Sequence, residues 1–174
     1  MTELQSKSAT AQIVDLRDRL VALRYAGNGD VAALFETPAS GVHLARETVE
    51  VVIGRGFAGD HPEKSFYRGA YVPGREVSAC ASEVLAAMNV DPAVVGDNLV
   101  TRGIDLCALE SGQTLEIGEV VLQRSDREHR PCATFRERTS PEAFDAAALG
   151  YRGALFVVVR GGRINVGDSI RVLD

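Results

Sequence analysis

Residues 154–173 read ALFVVVRGGRINVGDSIRVL, a run of apolar segments separated by glycine-rich turns. The long apolar segment at its start is typical of a buried β-strand, and the Gly161-Gly162 pair predicts a hairpin turn directly after it. A second turn is predicted at Gly167-Asp168. The predicted strands are Ala154 to Arg160, Arg163 to Asn165 and Ser169 to Leu173. This pattern indicates β structure with tight connections.

The same pattern recurs through most of the chain after Gly29. Thr114 to Ile117 and Glu119 to Arg124 predict two strands joined tightly at Gly118. Further strands are predicted at Val31 to Phe35, Thr48 to Ile53, Glu76 to Ala79 and Asn98 to Thr101. Many short strands and few helices predict a mainly β fold of the α+β type, in which a β-barrel carries a few flanking helices.

Three segments have the periodicity of helices. Thr10 to Tyr25 predicts an amphipathic N-terminal helix, which packs either on the barrel or on a second subunit as a homodimer. Ser82 to Asn89 predicts a second helix. Ser140 and Pro141 suit the first turn of a third helix, which is expected to run to about Leu149.

The length of 174 residues suits one domain, which we divide into a tail and helix, residues 1–28, and a barrel, residues 29–174. The formal net charge of −5 and the lack of a basic face argue against nucleic acid as a partner. No apolar run approaches the ~18 residues of a membrane span, so a membrane is not expected as a partner either. The polar start of the chain lacks a signal-peptide core, which predicts a cytoplasmic protein.

The three cysteines, Cys80, Cys107 and Cys132, are odd in number and widely spaced, which argues against a disulfide framework and a zinc site. Cys80 and Cys107 lie among Ala, Leu and Val and are expected to be buried. Cys132 lies in a polar stretch, Ser125 to Thr139, which predicts an exposed loop.

Positive charge surrounds Cys132 in the sequence. The arginines within eight residues are Arg124, Arg127, Arg130, Arg136 and Arg138. Such charge favours the thiolate, the form of cysteine that attacks sulfur, carries sulfur or ligates a soft metal. The alternative is an ordinary solvated loop, in which acidic neighbours neutralise the arginines.

A second long loop is predicted from Gly54 to Gly74, and a loop of this length in a compact domain is usually functional or mobile. Within it, His61 is a candidate proton donor or ligand, or else a turn histidine capped by Asp60. Asn98 is a candidate ligand-binding residue, or else orders a turn through its own backbone.

Four segments, taken together and in order, resemble the MOSC domain, the C-terminal domain of molybdenum cofactor sulfurases, which also occurs as small free-standing bacterial proteins. The segments are Gly56 to His61, Gly96 to Leu99 with Gly103 to Leu106, His129 to Cys132, and Gly150 to Gly153 through Gly161-Gly162 to Asp168. The resemblance covers about Val31 to Asp174. It implies a β-barrel and places Cys132 at the family's cysteine position. His129 stands where the family often has arginine, with Arg130 one position later.

The resemblance implies two versions of one function. In the first, Cys132 holds a persulfide, and the chain is a sulfur carrier or transferase with a sulfur-donor partner. In the second, Cys132 ligates the molybdenum of a bound molybdenum cofactor (molybdopterin), and the chain reduces N-hydroxylated compounds with a redox partner. The implied catalytic residues are Cys132, His61 and His129, and the implied residues around the pterin ligand are Arg127, Arg130, Asp60 and Asn98.

A different class of function stays open, namely a non-catalytic module that binds a sulfur- or anion-bearing ligand or a partner protein. Pyridoxal phosphate is not expected, because the only lysines, Lys7 and Lys64, are in no recognisable Schiff-base setting. A metal hydrolase is disfavoured because His43, His61 and His129 lack ligand-like spacing.

Overall fold

The computed structural model describes residues 15–173. Lys7 and the first part of the predicted N-terminal helix, Thr10 to Val14, lie outside the described residues. Residues 15–21 are helical and form α1. The remaining helices are α2 (Ser82–Met88), α3 (Pro92–Val95), α4 (Ala133–Arg138) and α5 (Pro141–Ala146), the last followed by a π-helical turn, Ala147–Tyr151. Ser140 caps α5 as predicted, since its side chain accepts a hydrogen bond from the Ala143 amide.

Strands make up the larger part of the regular structure. They are β1 (Gly29–Ala39), β2 (Val42–Arg46), β3 (Thr48–Val52), β4 (Gly56–Phe57), β5 (Phe66–Tyr67), β6 (Ala70–Tyr71), β7 (Val77–Ala81), β8 (Leu99–Arg102), β9 (Thr114–Ile117), β10 (Val120–Arg124), β11 (Ala154–Arg160), β12 (Gly162–Asn165) and β13 (Ser169–Leu173). The prediction of a mainly β fold is therefore confirmed.

Seven of these strands form a closed barrel in the order β13-β9-β10-β11-β7-β8-β1, and the pairing of β1 with β13 closes it. The first residues of β1 pair with β13, and its later residues pair with β2. The pairs are antiparallel except for β7 with β8, which run parallel because α2 and α3 carry the chain back between them. The barrel fold is thus the one that the sequence predicts.

The barrel interior is filled by one face of each strand. β3, which belongs to the separate sheet β12-β3-β4, adds Val49 and Val51 to the same core, while Glu50 between them is exposed, as the two-residue period of a strand requires. Leu115 and Ile117 in β9 are fully buried in the same core. Each such side chain contributes roughly 1.5–3 kcal/mol by leaving water.

A second apolar cluster lies outside the barrel, between the helices and the strands β1, β7 and β8. Leu16 and Leu20 of α1 are buried in it, so the apolar side of this helix packs on the barrel of its own chain. Phe135 of α4 is buried in the same cluster. The homodimer through this helix stays a prediction.

The hairpin predicted at Gly161-Gly162 is wrong. Residues Gly162–Asn165 pair with β3, whereas β11 pairs with β7 and β10. The two glycines form a corner between two sheets. The backbone passes so close to β3 there that a Cβ atom at Gly161 would lie 2.6 Å from the carbonyl oxygen of Val51, so the position requires glycine. A glycine pair allows either a tight turn or the close approach of two backbone segments. Here it allows the close approach of the chain to β3.

The predicted loop Ser125 to Thr139 is also partly wrong, because its second half is the helix α4. The helix α4 has a single buried residue, Phe135, so periodicity alone does not indicate a helix. The short elements β2 and α3 were not predicted. Within the described residues, no helix is long and apolar enough to cross a membrane.

Candidate functional site

Cys132 lies immediately before the first residue of α4 and is exposed, as predicted. It contributes to the walls of two adjoining clefts. The larger, of about 950 Å³, runs along residues 126–132 of the preceding loop; the smaller, of about 320 Å³, lies towards α3 and the 54–74 loop. Both clefts share Arg75, His129, Arg130 and Leu155 with Cys132. The thiol therefore stands where two ligand-sized spaces meet.

The other two cysteines lie elsewhere. Cys80 is buried, as expected, and burial raises the pKa of its thiol well above the ordinary value. Cys107 is exposed, which corrects the expectation that it is buried. Its amide bonds the side chain of Asp105 in a tight turn, and this turn faces the residue outwards although its neighbours in sequence are apolar. Neither cysteine lines the two clefts beside Cys132.

The arginines near Cys132 in sequence do not all point towards it. Arg124 donates to the backbone carbonyls of Ser125 and Arg127, and Arg136 lies over the ring of Phe144. These two arginines brace the loop and α5. Arg127 and Arg130 do line the larger cleft, where Arg127 donates to the Pro73 carbonyl and Arg130 pairs with Glu128. Arg138 lines the smaller cleft.

Arg75, which was not singled out from the sequence, lines both clefts and is exposed. Its backbone carbonyl accepts from the Ser65 hydroxyl, while its guanidinium makes no hydrogen bond or ion pair with any described residue. Its charge contributes to lowering the pKa values of Lys64 and His129, although burial is the main cause for each. An unpaired guanidinium in a cleft wall is free to bind an anion.

A buried ionic network lies behind Cys132. Asp97 and Arg152 are 1% and 6% exposed and form an ion pair through Asp97 Oδ2. The other Asp97 oxygen faces His129 Nε2 at 3.5 Å. The Arg152 guanidinium also donates to the Val95 carbonyl and stacks over Phe135, 4.7 Å from the ring centroid. This network fixes the position of His129.

The protonation of His129 follows from this environment. Burial, followed by the charge of Arg152, lowers the pKa of His129 to about 3, so the ring is neutral at neutral pH. Asp97 can only accept, so the ring proton is on Nε2 and Nδ1 carries a lone pair. That Nδ1 is buried without a hydrogen-bond partner among the described residues. His129 therefore contributes a neutral ring to the wall shared by the two clefts.

A second network brings the predicted residues Asp60 and Asn98 together. Asn98 Nδ2 donates to Asp60 Oδ2 at 2.8 Å, and Lys64 Nζ pairs with the same oxygen at 3.0 Å while bonding Asn98 Oδ1. The amide of Thr37 donates to the remaining Asp60 oxygen. Burial lowers the pKa of Lys64, while Asp60 acts in the opposite direction. Asp60 and Asn98 thus lie behind the cleft wall and hold Lys64, which lines it.

His61 and His43 line the smaller cleft. The backbone amide of His61 bonds the Thr37 carbonyl, whereas none of the described residues hydrogen-bonds its ring. His43 accepts from Arg138 Nη1 at Nε2, 2.7 Å away, and its Nδ1 faces the Thr37 hydroxyl at 3.2 Å. Burial and then Arg138 lower the pKa of His43, which keeps the ring neutral. Gly96 makes room for this ring, because a Cβ at Gly96 would approach it to 3.0 Å.

No group of three His, Cys, Asp or Glu side chains capable of holding a metal ion occurs in residues 15–173. Cys132 is therefore a single exposed thiol donor, flanked by basic residues and by a buried neutral histidine. A soft metal that brings most of its own ligands suits such a donor better than a metal that needs a protein cage.

The barrel and this thiol-bearing rim place the chain in a class of small mainly β proteins with one exposed cysteine between two clefts. The sequence profile of the MOSC domain matches residues 70–171, and the chain belongs to this family. The family is linked to molybdenum cofactor binding and to sulfur handling. Asp60 and His61 lie before the matched residues.

Solved structures share the fold. YuaD from Bacillus subtilis is 22% identical, with a TM-score of 0.65 over 83% of this chain and 95% of that chain. YiiM from Geobacillus stearothermophilus is 14% identical, with a TM-score of 0.62 over 84% and 75% of the two chains. YiiM from Escherichia coli is 20% identical, with a TM-score of 0.53 over 87% and 70%. No curated protein shows a significant sequence match.

Sequence reasoning missed five residues of the site: His43, Lys64, Arg75, Arg138 and Arg152. Arg152 and Arg138 were quoted only as parts of a glycine-rich segment and an arginine-rich loop. Arg75 and His43 have no local signal; His43 reaches the site because β2, which carries it, packs against α3. The burial of Lys64 beside Asp60 has a weak signal, the (i, i+4) spacing of opposite charges.

Proposed function

We propose that this chain binds the molybdenum cofactor in the larger cleft, with the Cys132 thiolate as a molybdenum ligand, and reduces N-hydroxylated compounds. The observation that carries the proposal is the position of Cys132, an exposed thiol at the junction of two clefts in a MOSC-family barrel. One cleft can hold the cofactor while the other admits a substrate to the same thiol.

The residues around the larger cleft fit the cofactor chemically. Thiolate is a ligand that suits soft metals, and only one is needed when the pterin supplies its own sulfur donors. Arg127 and Arg130 line the cleft and suit an anionic pterin, because guanidinium groups bind phosphate oxygens through two parallel hydrogen bonds. The cleft volume of about 950 Å³ lies within the range of cofactor sites.

The bound cofactor, once reduced by a redox partner protein, would supply two electrons, and the reduction of an N–OH group to N–H also takes up two protons and releases water. His61 would deliver a proton to the departing hydroxyl, since its ring lies in the smaller cleft with no described partner. His129 would contribute a neutral ring to the wall beside Cys132. Asp60 and Asn98 would act indirectly, by holding Lys64 in the wall.

A sulfur carrier is the second candidate, and the exposure of Cys132 favours it. A carrier has to present its persulfide to a donor protein and an acceptor, and an exposed cysteine at the lip of a wide cleft can do so. In this version the basic residues would stabilise the persulfide anion, and no metal would be retained.

The test is metal and mass analysis of protein from a host that makes the cofactor. Wild type is expected to contain molybdenum and to release oxidised pterin on denaturation, whereas Cys132→Ser is expected to lose the metal. Cys107→Ser is the matched control, because Cys107 is exposed but lines neither cleft. A mass increase of one sulfur atom on Cys132, removed by reductant and without metal, would favour the carrier. Equal molybdenum content in Cys132→Ser and wild type would refute the proposed ligand, and neither metal nor sulfur would favour a binding module.

A further inference from the structure

The smaller cleft concentrates positive charge in a protein whose net charge is −5. Its basic side chains are Lys64, Arg75, Arg130, Arg138 and Arg152, and among residues 15–173 the only acidic one that lines it is Asp97. This sign is opposite to that of the molecule as a whole, so the cleft attracts anions locally.

Most of these charges are neutralised by a bonded carboxylate. Arg152 pairs with Asp97, Lys64 pairs with Asp60, and Arg130 pairs with Glu128. Two cations remain. The Arg75 guanidinium has no hydrogen bond or ion pair with any described residue, and the Arg138 guanidinium bonds only neutral groups, the His43 ring and the Gly41 carbonyl.

Neutral groups hold Arg138 in position, so no carboxylate among the described residues neutralises its charge. His43 Nε2 accepts from it at 2.7 Å, and the ring is held in turn by the Thr37 hydroxyl. The lowered pKa of His43, caused by burial and then by Arg138, keeps the ring neutral and therefore able to accept. The guanidinium keeps further N–H groups for a ligand, since these contacts use only two of its nitrogens.

We infer that the smaller cleft binds a substrate that carries a carboxylate or phosphate group, held by Arg138 and Arg75, beside the group that reacts near Cys132. The nature of the reacting group rests on the reduction proposed above. The anion site itself rests on Arg75 and Arg138, the two arginines without a carboxylate partner among the described residues. The cleft of about 320 Å³ suits a small ligand.

The experiment compares a matched pair of compounds, neutral benzamidoxime and anionic 4-carboxybenzamidoxime. Binding is measured by titration calorimetry at low ionic strength, with the full chain from a host that makes no molybdenum cofactor. The anionic compound is expected to bind about tenfold more tightly, as one charge-assisted hydrogen bond at a partly exposed site would give. The ratio is expected to fall as salt is added.

Variants locate the anion. Arg138→Gln, which changes only the smaller cleft, is expected to reduce the ratio to within about twofold of unity, as is Arg75→Gln. Arg127→Gln is the control, because Arg127 lines only the larger cleft and the preference should survive. Equal affinity for the two compounds would overturn the inference, and so would a preference that Arg138→Gln keeps or that Arg127→Gln abolishes.

A failure of the proposed reduction is distinguishable from a failure of this inference. The binding ratio is measured without cofactor and without turnover, whereas molybdenum retention is measured on a separate preparation of wild type and Cys132→Ser. Protein that retains molybdenum through Cys132 but binds both compounds equally would contradict the anion site alone. Protein that prefers the anion through Arg138 but never holds molybdenum would uphold the site.

Discussion

Asp97→Ala is expected to lower the free energy of unfolding by about 3–5 kcal/mol, because it leaves the buried charge of Arg152 without its partner. Asp97 and Arg152 are 1% and 6% exposed, so water cannot replace the lost carboxylate. The remaining contacts of Arg152, with the Val95 carbonyl and the Phe135 ring, are to neutral groups and do not compensate a charge. The measurement is urea unfolding followed by circular dichroism, with linear extrapolation to water.

A double-mutant cycle separates the pair from its surroundings. Arg152→Met is also expected to be destabilising, whereas Asp97→Ala combined with Arg152→Met should recover much of the loss, because no buried charge is then left. The exposed pair Asp30 and Arg102 is the control: its side chains are 35% and 62% exposed, and Asp30→Ala should change stability by less than about 1 kcal/mol. If Asp97→Ala matches the control, the network does not hold the site.

Three further outcomes are expected. The pKa of His129 is lowered to about 3 in the folded protein, so below about pH 6.5 this histidine is protonated in the unfolded chain but not in the folded one. The free energy of unfolding is therefore highest above pH 6.5 and should fall by about 2–3 kcal/mol between pH 7 and pH 4.5, as measured by urea titrations. Gly153→Ala should lower the melting temperature by several degrees, since φ is +101° there and a Cβ would collide with the β7 backbone. Maleimide should label Cys107 and Cys132 in native protein, and Cys80 only after denaturation, as counted by intact mass.

Matched variants check each of these outcomes. His129→Gln should remove most of the acid sensitivity, and an unchanged pH profile would contradict the buried neutral histidine. Gly112→Ala has a similar backbone angle, φ +91°, but open space around the new Cβ, so it should cost less than Gly153→Ala. Native labelling of three cysteines would contradict the burial of Cys80.

Much of the fold could be predicted because its strands follow simple local rules. The hairpin of β9 and β10 has a period-two pattern and a glycine between its strands, and both features are local in sequence. The corner at Gly161-Gly162 could not be predicted, because its partner β3 lies more than a hundred residues away in the chain. Local sequence indicates that a glycine pair bends the chain, but not which strand it then meets.

The site divides in the same way. Cys132 and His129 are three residues apart in sequence, so their proximity was visible. The cooperation of Asp60 with Asn98 came only from the family resemblance, and the structure adds that both hold Lys64. Charge balance was the least predictable property, because the partners of an arginine are set by folding rather than by sequence distance.

The seam between β1 and β13 has a consequence for biosynthesis. Because β13 is the last strand of the barrel, a nascent chain leaves the ribosome with the site residues already made but with the edges of β1 and β9 unpaired. Unpaired strand edges are the surfaces through which incomplete β proteins associate with one another. The chain is therefore most exposed to aggregation before β13 has been synthesised, and chains stalled or truncated before Ser169 should precipitate even though they contain every residue of the two clefts.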